Sequence, residues 1–96
     1  MEIIIEHEES VSKGRFFVDN DEKTLAEMTY SIAGPEKIII DHTEVDPSLR
    51  GMKVGFKLFK AMVDYARESN KKVIPLCPFA KAQFDKDDQY KDVLLP

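Results

Sequence analysis

The chain has 96 residues, 43% of them hydrophobic and 33% charged, with a net charge of −4. That size and balance suit one compact domain and exclude a membrane-spanning bundle, since no apolar run approaches the ~18 residues a span requires. A single cysteine, Cys77, excludes a disulfide framework and fits a reducing cytoplasm; with only His7 and His42 beside it, no metal site of paired Cys and His is expected. The acidic start MEIIIEHEES carries an apolar stretch too short for a secretory signal.

In chain order, EIIIEH (2–7) predicts a short strand and GRFFVDND (14–21) a second one leaving into an acidic turn. LAEMTYSIA (25–33) alternates Leu25, Glu27, Thr29, Ser31 and Ala33 with Ala26, Met28, Tyr30 and Ile32, the pattern of a half-buried strand. Gly34-Pro35 ends it in a turn. The three consecutive isoleucines of EKIIIDHTEV (36–45) predict a central strand covered on both faces. Four strands with short turns make an antiparallel meander.

The period then changes. From Lys53 onward, Val54, Leu58, Met62 and Tyr65, with Phe59, Val63 and Ala66, predict a helix of ~16–18 residues that stops near Ser69-Asn70. KKVIPLC (71–77) is a fifth strand, parallel to the fourth through the helical crossover, and Pro75 makes it an edge strand or a distorted one. Pro78 opens a second helix, PFAKAQFDK, with Phe79, Ala82 and Phe84 inward. The charged tail offers Tyr90, Val93, Leu94 and Leu95 for docking. The fold class is therefore α+β: a four-stranded meander, a long helix crossing to a parallel fifth strand, and a short C-terminal helix.

Charge is unevenly distributed. Residues 1–48 hold twelve acids and four bases, a net of −8, and residues 63–96 hold six of each. Between them, LRGMKVGFKLFKAM (49–62) holds Arg50, Lys53, Lys57 and Lys60 and no acid, a net of +4. One cationic segment on an acidic chain suits a small anionic ligand and argues against a general nucleic-acid binder; a solvated lysine face would leave the same run. The segment opens at a helix start, where backbone N–H groups and the helix dipole attract phosphate. Gly51 and Gly55 allow close approach there, and Arg50 adds a donor fork. It is not a P-loop, lacking the Gly-Lys-Ser/Thr ending, and its G-x-x-x-G spacing departs from the dinucleotide fingerprint.

VDPSLRGMKVGFKLFKAMVDYAR resembles the acetyl-CoA signature of the GNAT superfamily of N-acetyltransferases, Gln/Arg-x-x-Gly-x-Gly/Ala. With IIIDHTEV before it and VIPLCPFAKAQF…YKD after it, the chain is similar to the minimal, single-domain YjdJ-type branch over residues 2–93. The resemblance implies one acetyltransferase domain over residues 1–96 with its sheet splayed between strands four and five. It also implies acetyl-CoA as donor and an amine acceptor: a small amine, a polyamine, or a protein lysine or N-terminus. The pyrophosphate would lie on Arg50, Gly51, Met52, Lys53, Val54 and Gly55. Arg50 fills the Gln/Arg place and Gly55 the final place, while Lys53 stands where a glycine is usual. Backbone groups of Val45 and Asp46 would meet the pantetheine amides.

Cys77 matches the branch's cysteine after strand five, at a helix start that favours thiolate, as an acid–base group or transient nucleophile. A small buried hydrophobe is the alternative for a lone cysteine. His42 matches the branch's histidine in strand four as the base for the amine, or is a strand-end histidine bonded to a neighbour, with Thr43 orienting the site. Tyr90 caps the cleft or donates a proton to the departing CoA thiolate, or its ring packs; His7, beside Glu6, Glu8 and Glu9, reads as surface. The expectation is a cytoplasmic acetyl-CoA-dependent N-acetyltransferase, a monomer or weak homodimer without nucleic-acid, membrane or metal partners. A non-catalytic CoA- or acyl-CoA-binding module and a plain interaction domain are the alternatives.

Overall fold

The alternation of the first half and the helical period of the second fold onto each other as two layers. A computed structural model describes residues 3–95. The strands are β1 (Glu6–Glu9), β2 (Lys13–Asn20), β3 (Lys23–Ile32), β4 (Lys37–Val45) and β5 (Lys72–Pro75), and the helices α1 (Val54–Glu68) and α2 (Pro78–Lys86). Short 3-10 turns cover Pro47–Leu49 and Asp88–Val93. The sheet order is β1-β2-β3-β4-β5, antiparallel through β4 and parallel between β4 and β5. β5 is an edge strand, as its proline requires, and Leu95 donates its N–H to the Val73 carbonyl on the outer side.

The first strand begins later than its apolar run. Pairing with β2 starts only at Glu6, opposite Phe17; Ile3 and Ile5 reach the core without joining the ladder, and Glu2 lies outside the described residues. The core is one cluster in which both helices pack on the same face of the sheet, against Phe16, Met28, Tyr30, Ile38 and Ile40. β4 is therefore covered on one face, not two. Ile38 and Ile40 are fully buried while Ile39, pointing the other way, is half-buried.

β4 also carries a bulge that its sequence was not expected to hold. Tyr30 opposes Ile40 but Thr29 opposes His42, so Asp41 is the extra residue. The inward positions Ile38, Ile40 and Thr43 step by two and then by three.

α1 buries Val54, Leu58, Phe59, Met62, Val63 and Ala66, each worth roughly 1.5–3 kcal/mol for the larger side chains. In α2 the buried residues are Ala80 and Phe84, and Ala82 is exposed, contrary to expectation. Phe84 meets Phe59 edge-on with centroids 5.0 Å apart, and this contact fixes the 80/84 stripe. Ala82, two residues from either, falls on the far side. Arg67 grips Asp92 through two donors (2.8 Å each) and the Gln89 carbonyl (2.7 Å), holding the C-terminal turn to α1.

At the other end, β1 is tied to α1 by a polar cluster. Tyr30 and Tyr65 both donate their hydroxyls to Glu9 Oε1 (2.8 and 2.6 Å). His7 then donates from Nε2 to the Tyr30 oxygen (2.5 Å), its ring stacked on Phe16 at 4.2 Å. His7 is a surface residue, but one with fixed partners. Burial holds its pKa below the usual 6.5, and the hydrogen bond from Tyr65 holds Glu9 below its usual 4.5. Both groups therefore bind protons more readily when unfolded, so their contribution is complete above those ordinary values and is lost as pH falls through the lowered folded values. Urea unfolding should show stability declining with acid first from about pH 6.5 (His7) and then from about 4.5 (Glu9). A His7→Phe variant should keep the stacking and lose the first decline; an unchanged profile would show that His7 does not couple to folding.

Candidate active site

The parallel pairing of β4 and β5 ends at Ile40, opposite Pro75. The Ile40 carbonyl accepts the N–H groups of both Leu76 (3.1 Å) and Cys77 (3.0 Å). Past that point the chain turns into α2 while β4 runs on to Val45, so the two strands part. Asp46 donates its N–H to Leu25 (2.7 Å), which makes the Ala26–Val45 and Met28–Thr43 pairs non-hydrogen-bonded ones. The N–H and C=O groups of Thr43 and Val45 consequently point away from β3, into the gap. Among the described residues no strand pairs with them there.

The gap's other wall begins at Cys77. It is the N-cap residue of α2 and only 2% exposed. Its Sγ lies 3.4 Å from Thr43 Oγ1 across the opening. His42, the next residue along β4, points to the opposite face, where its Nε2 is 3.8 Å from Glu44. The structure thus pairs Cys77 with Thr43 and separates both from His42. Val45 and Leu76, on the two sides of the gap, are exposed apolar residues.

Below the gap, the turn between β4 and α1 is wound tightly. The Asp46 side chain accepts from the Ser48 N–H (2.9 Å) and pairs with Lys23 (3.1 Å); these contacts, the Ser48 N–H first, pull its carboxyl down to about 2. Its N–H is committed to Leu25 and its C=O accepts from Leu49, so of the two residues expected to meet the pantetheine only Val45 presents an unpaired edge. Arg50 is exposed and Met52 half-buried. Gly51 has φ +84° and Lys53 has φ +56°, ψ +34°, both left-handed. Lys53 thus adopts the conformation that a glycine would take at little cost. It is the N-cap of α1 and no side chain caps that end, which leaves the first N–H groups of the helix for solvent or an anion. Gly55 is held to glycine by packing: a Cβ there would fall 2.9 Å from Phe79 Cζ, where α2 crosses the start of α1.

Three features escaped the sequence reading. Asp41, at the bulge, accepts from Ser31 (2.7 Å). Arg15 bridges Glu8 (2.6 Å) and Glu27 (2.9 Å) over the Phe17 ring. The broken alternation of IIIDHT signals the bulge, but the Thr43–Cys77 contact joins residues 34 apart and has no local signal. Among the described residues no helix is long and apolar enough to cross a membrane.

The sequence and the fold are similar to those of known proteins. The family model of the GCN5-related N-acetyltransferases matches residues 15–93. The solution structure of a GCN5-like protein from Staphylococcus aureus is 44% identical over 94% of this chain and 87% of that one, with a TM-score of 0.72. A ribosomal-protein-alanine N-acetyltransferase from Brucella melitensis biovar Abortus 2308 shares the fold (TM-score 0.60) at 16% identity, over 91% of this chain and 64% of its own. A further Staphylococcus aureus structure of the GNAT family, 17% identical, matches with a TM-score of 0.56 over 67% of this chain and 55% of its own. No curated protein matches the chain. The match to the family model and the 44% identity place the chain in the GCN5-related N-acetyltransferase family, as an acyl-transfer enzyme.

Proposed function

We propose that the chain, as one catalytic unit over residues 1–96, takes acetyl-CoA into the gap between β4 and β5 and transfers its acetyl group to a primary amine. The observation that carries this reading is the unpaired edge of Thr43 and Val45 facing Cys77, directly above the uncapped start of α1. These parts fit the group: a β-edge for two amides, apolar Val45 and Leu76 for the arm between them, and free helix N–H groups with Arg50 and Lys53 for the pyrophosphate. Acetyl-CoA supplies an activated thioester: the amine nitrogen bonds the carbonyl carbon, the C–S bond breaks, and the thiolate leaves with the electron pair.

The chain's residues divide the rest of the work. The β4 edge N–H groups polarise the carbonyl and fix its orientation. His42, on the outer face of β4, accepts the proton of the incoming amine. Cys77, held by Thr43 on the inner side, gives a proton to the departing sulfur. Base and acid stand on opposite sides of one strand, as direct attack in a ternary complex needs. Calorimetry with acetyl-CoA, followed by thiol release against a panel of amines, tests the reading. No saturable binding at about 1 mM, the upper end of ordinary substrate affinities, would overturn it.

Lys53 sharpens the test of the turn. Its left-handed backbone is strained for any residue with a Cβ by about 1–2 kcal/mol, of which glycine's own chain entropy takes back about 0.5–1. Lys53→Gly is therefore expected to raise unfolding stability by roughly 0.5–1 kcal/mol. It should also weaken acetyl-CoA by up to about fivefold, the value of one exposed ion contact. Tighter binding in this variant would show instead that the lysine obstructs the cradle.

A further inference from the structure

Because both helices pack on one side, no element among the described residues covers the other face of the sheet. Cross-strand pairing places Glu6, Glu8, Glu27 and Glu44 on that face, and the Ser31 hydrogen bond places Asp41 there. Against these five carboxylates stand Lys13, Arg15 and, two residues before Ile39 on β4, Lys37, a formal net of −2, and Arg15 is already shared by Glu8 and Glu27. The face is not flat: a groove of about 710 Å³ runs across β1 to β4, from Glu8 and Lys13 past Thr29 to Asp41 and His42. At its end Glu27, His42 and Glu44 bring their polar atoms within 4.8 Å of one another. The basic residues 49–62 lie beyond β4, in the turn and α1. Charge is thus segregated, cationic where an anionic donor would enter and anionic on the face where His42 waits.

We infer that this uncovered face is the acceptor-docking surface, and that it takes a lysine in an extended basic peptide. The inference rests on the acetyltransferase reading above. The occupant follows from charge and shape. The carboxylates attract cations from a distance. The strands lie about 4.8 Å apart, so the acids are spread over several strand widths, more than one small amine can span. Among the described residues no helix lies over the groove to enclose a small molecule, whereas an extended chain gains contacts along its length. One lysine side chain then enters beside His42 while neighbouring cations meet Glu8 and Asp41.

The test is a titration of ¹⁵N-labelled protein with a decapeptide of alternating lysine and glycine. Amide shifts are expected at Thr29, Ser31, Asp41 and Glu44, and the same peptide with every lysine acetylated should cause none. An Asp41→Asn/Glu44→Gln variant should bind the peptide about fivefold to tenfold more weakly and acetyl-CoA as before. Shifts confined to α1 and residues 49–62, or equal binding of the acetylated peptide, would overturn the proposal. So would spermidine displacing the peptide from these amides at lower concentration, since the occupant would then be a small amine. The two readings fail separately: peptide shifts on this face without acetyl-CoA binding would remove the donor and leave the docking surface, and the reverse would remove only the surface.

Discussion

Cys77→Ala is expected to lower acetyl transfer by roughly 10²–10⁴-fold, the range for one acid–base group, with acetyl-CoA binding nearly unchanged. The thiol has two possible occupations, and their magnitudes separate them. As a small buried hydrophobe, 2% exposed, its loss would leave a one-atom cavity costing about 1 kcal/mol. A domain with about 5–15 kcal/mol of stability stays folded after such a loss, so misfolding cannot imitate a hundredfold drop. As the group facing the thioester, its loss removes a proton donor from the transition state. Thr43→Val provides the comparison: it keeps the shape beside Sγ and removes the hydroxyl 3.4 Å away. Its rate should fall less than that of Cys77→Ala, because the sulfur remains and only its orientation is released. If Cys77→Ala turns over like wild type, the residue belongs to the core and the proton for the leaving sulfur comes from water. An acetyl group trapped on Cys77 in the absence of amine would replace direct attack by a two-step transfer.

Much of this arrangement was legible in the sequence because local pattern governed it. The stripe Val54, Leu58, Phe59, Met62, Val63 and Ala66 has helical period and became the buried face of α1. The alternation of residues 25–33 set the register of β3, and Pro75 and Pro78 marked the edge strand and the start of α2. The failures share a cause. Three isoleucines read as a strand covered twice, because a run of apolar residues does not record how many layers the chain can supply. With both helices committed to one face, Ile39 stays half-buried and the outer surface is covered only by its own side chains, as Arg15 covers Phe17. Ala82 faces solvent although its apolar side chain suggests burial, because α2 is short and its orientation is set by Phe59, a residue on another helix.

The site divides along the same line. The turn from Arg50 to Gly55 is contiguous, so its motif could be read. Its left-handed Lys53 is the physical trace of the glycine that the motif leads one to expect. The partnership of Cys77 with Thr43, and the separation of both from His42, depend on where two strands part. The bulge at Asp41 depends likewise on cross-strand register, and its only trace was a break in alternation.

Gly14→Ala is expected to destabilise the protein by about 1–3 kcal/mol, the cost of overpacking, although the same change in most strands would stabilise by about 0.5–1. Gly14 lies opposite Tyr30, whose ring covers it. A Cβ built on Gly14 would fall 2.8 Å from Tyr30 Cε1 and nearer still to Cζ and the hydroxyl oxygen. Tyr30 is fully buried, and its hydroxyl is held by His7 and Glu9, so the ring cannot swing clear without breaking the cluster that ties β1 to α1. Desolvation also pushes the Tyr30 phenol pKa up, so the ring stays neutral and keeps its proton for Glu9. For a domain of this size the cost corresponds to a fall in Tm of about 4–8 °C for each kcal/mol. A Tyr30→Phe background should reduce the penalty, because it removes the atom that anchors the ring, and a double-mutant cycle would measure that coupling. If Gly14→Ala melts at or above the wild-type temperature, the ring is not locked over β2.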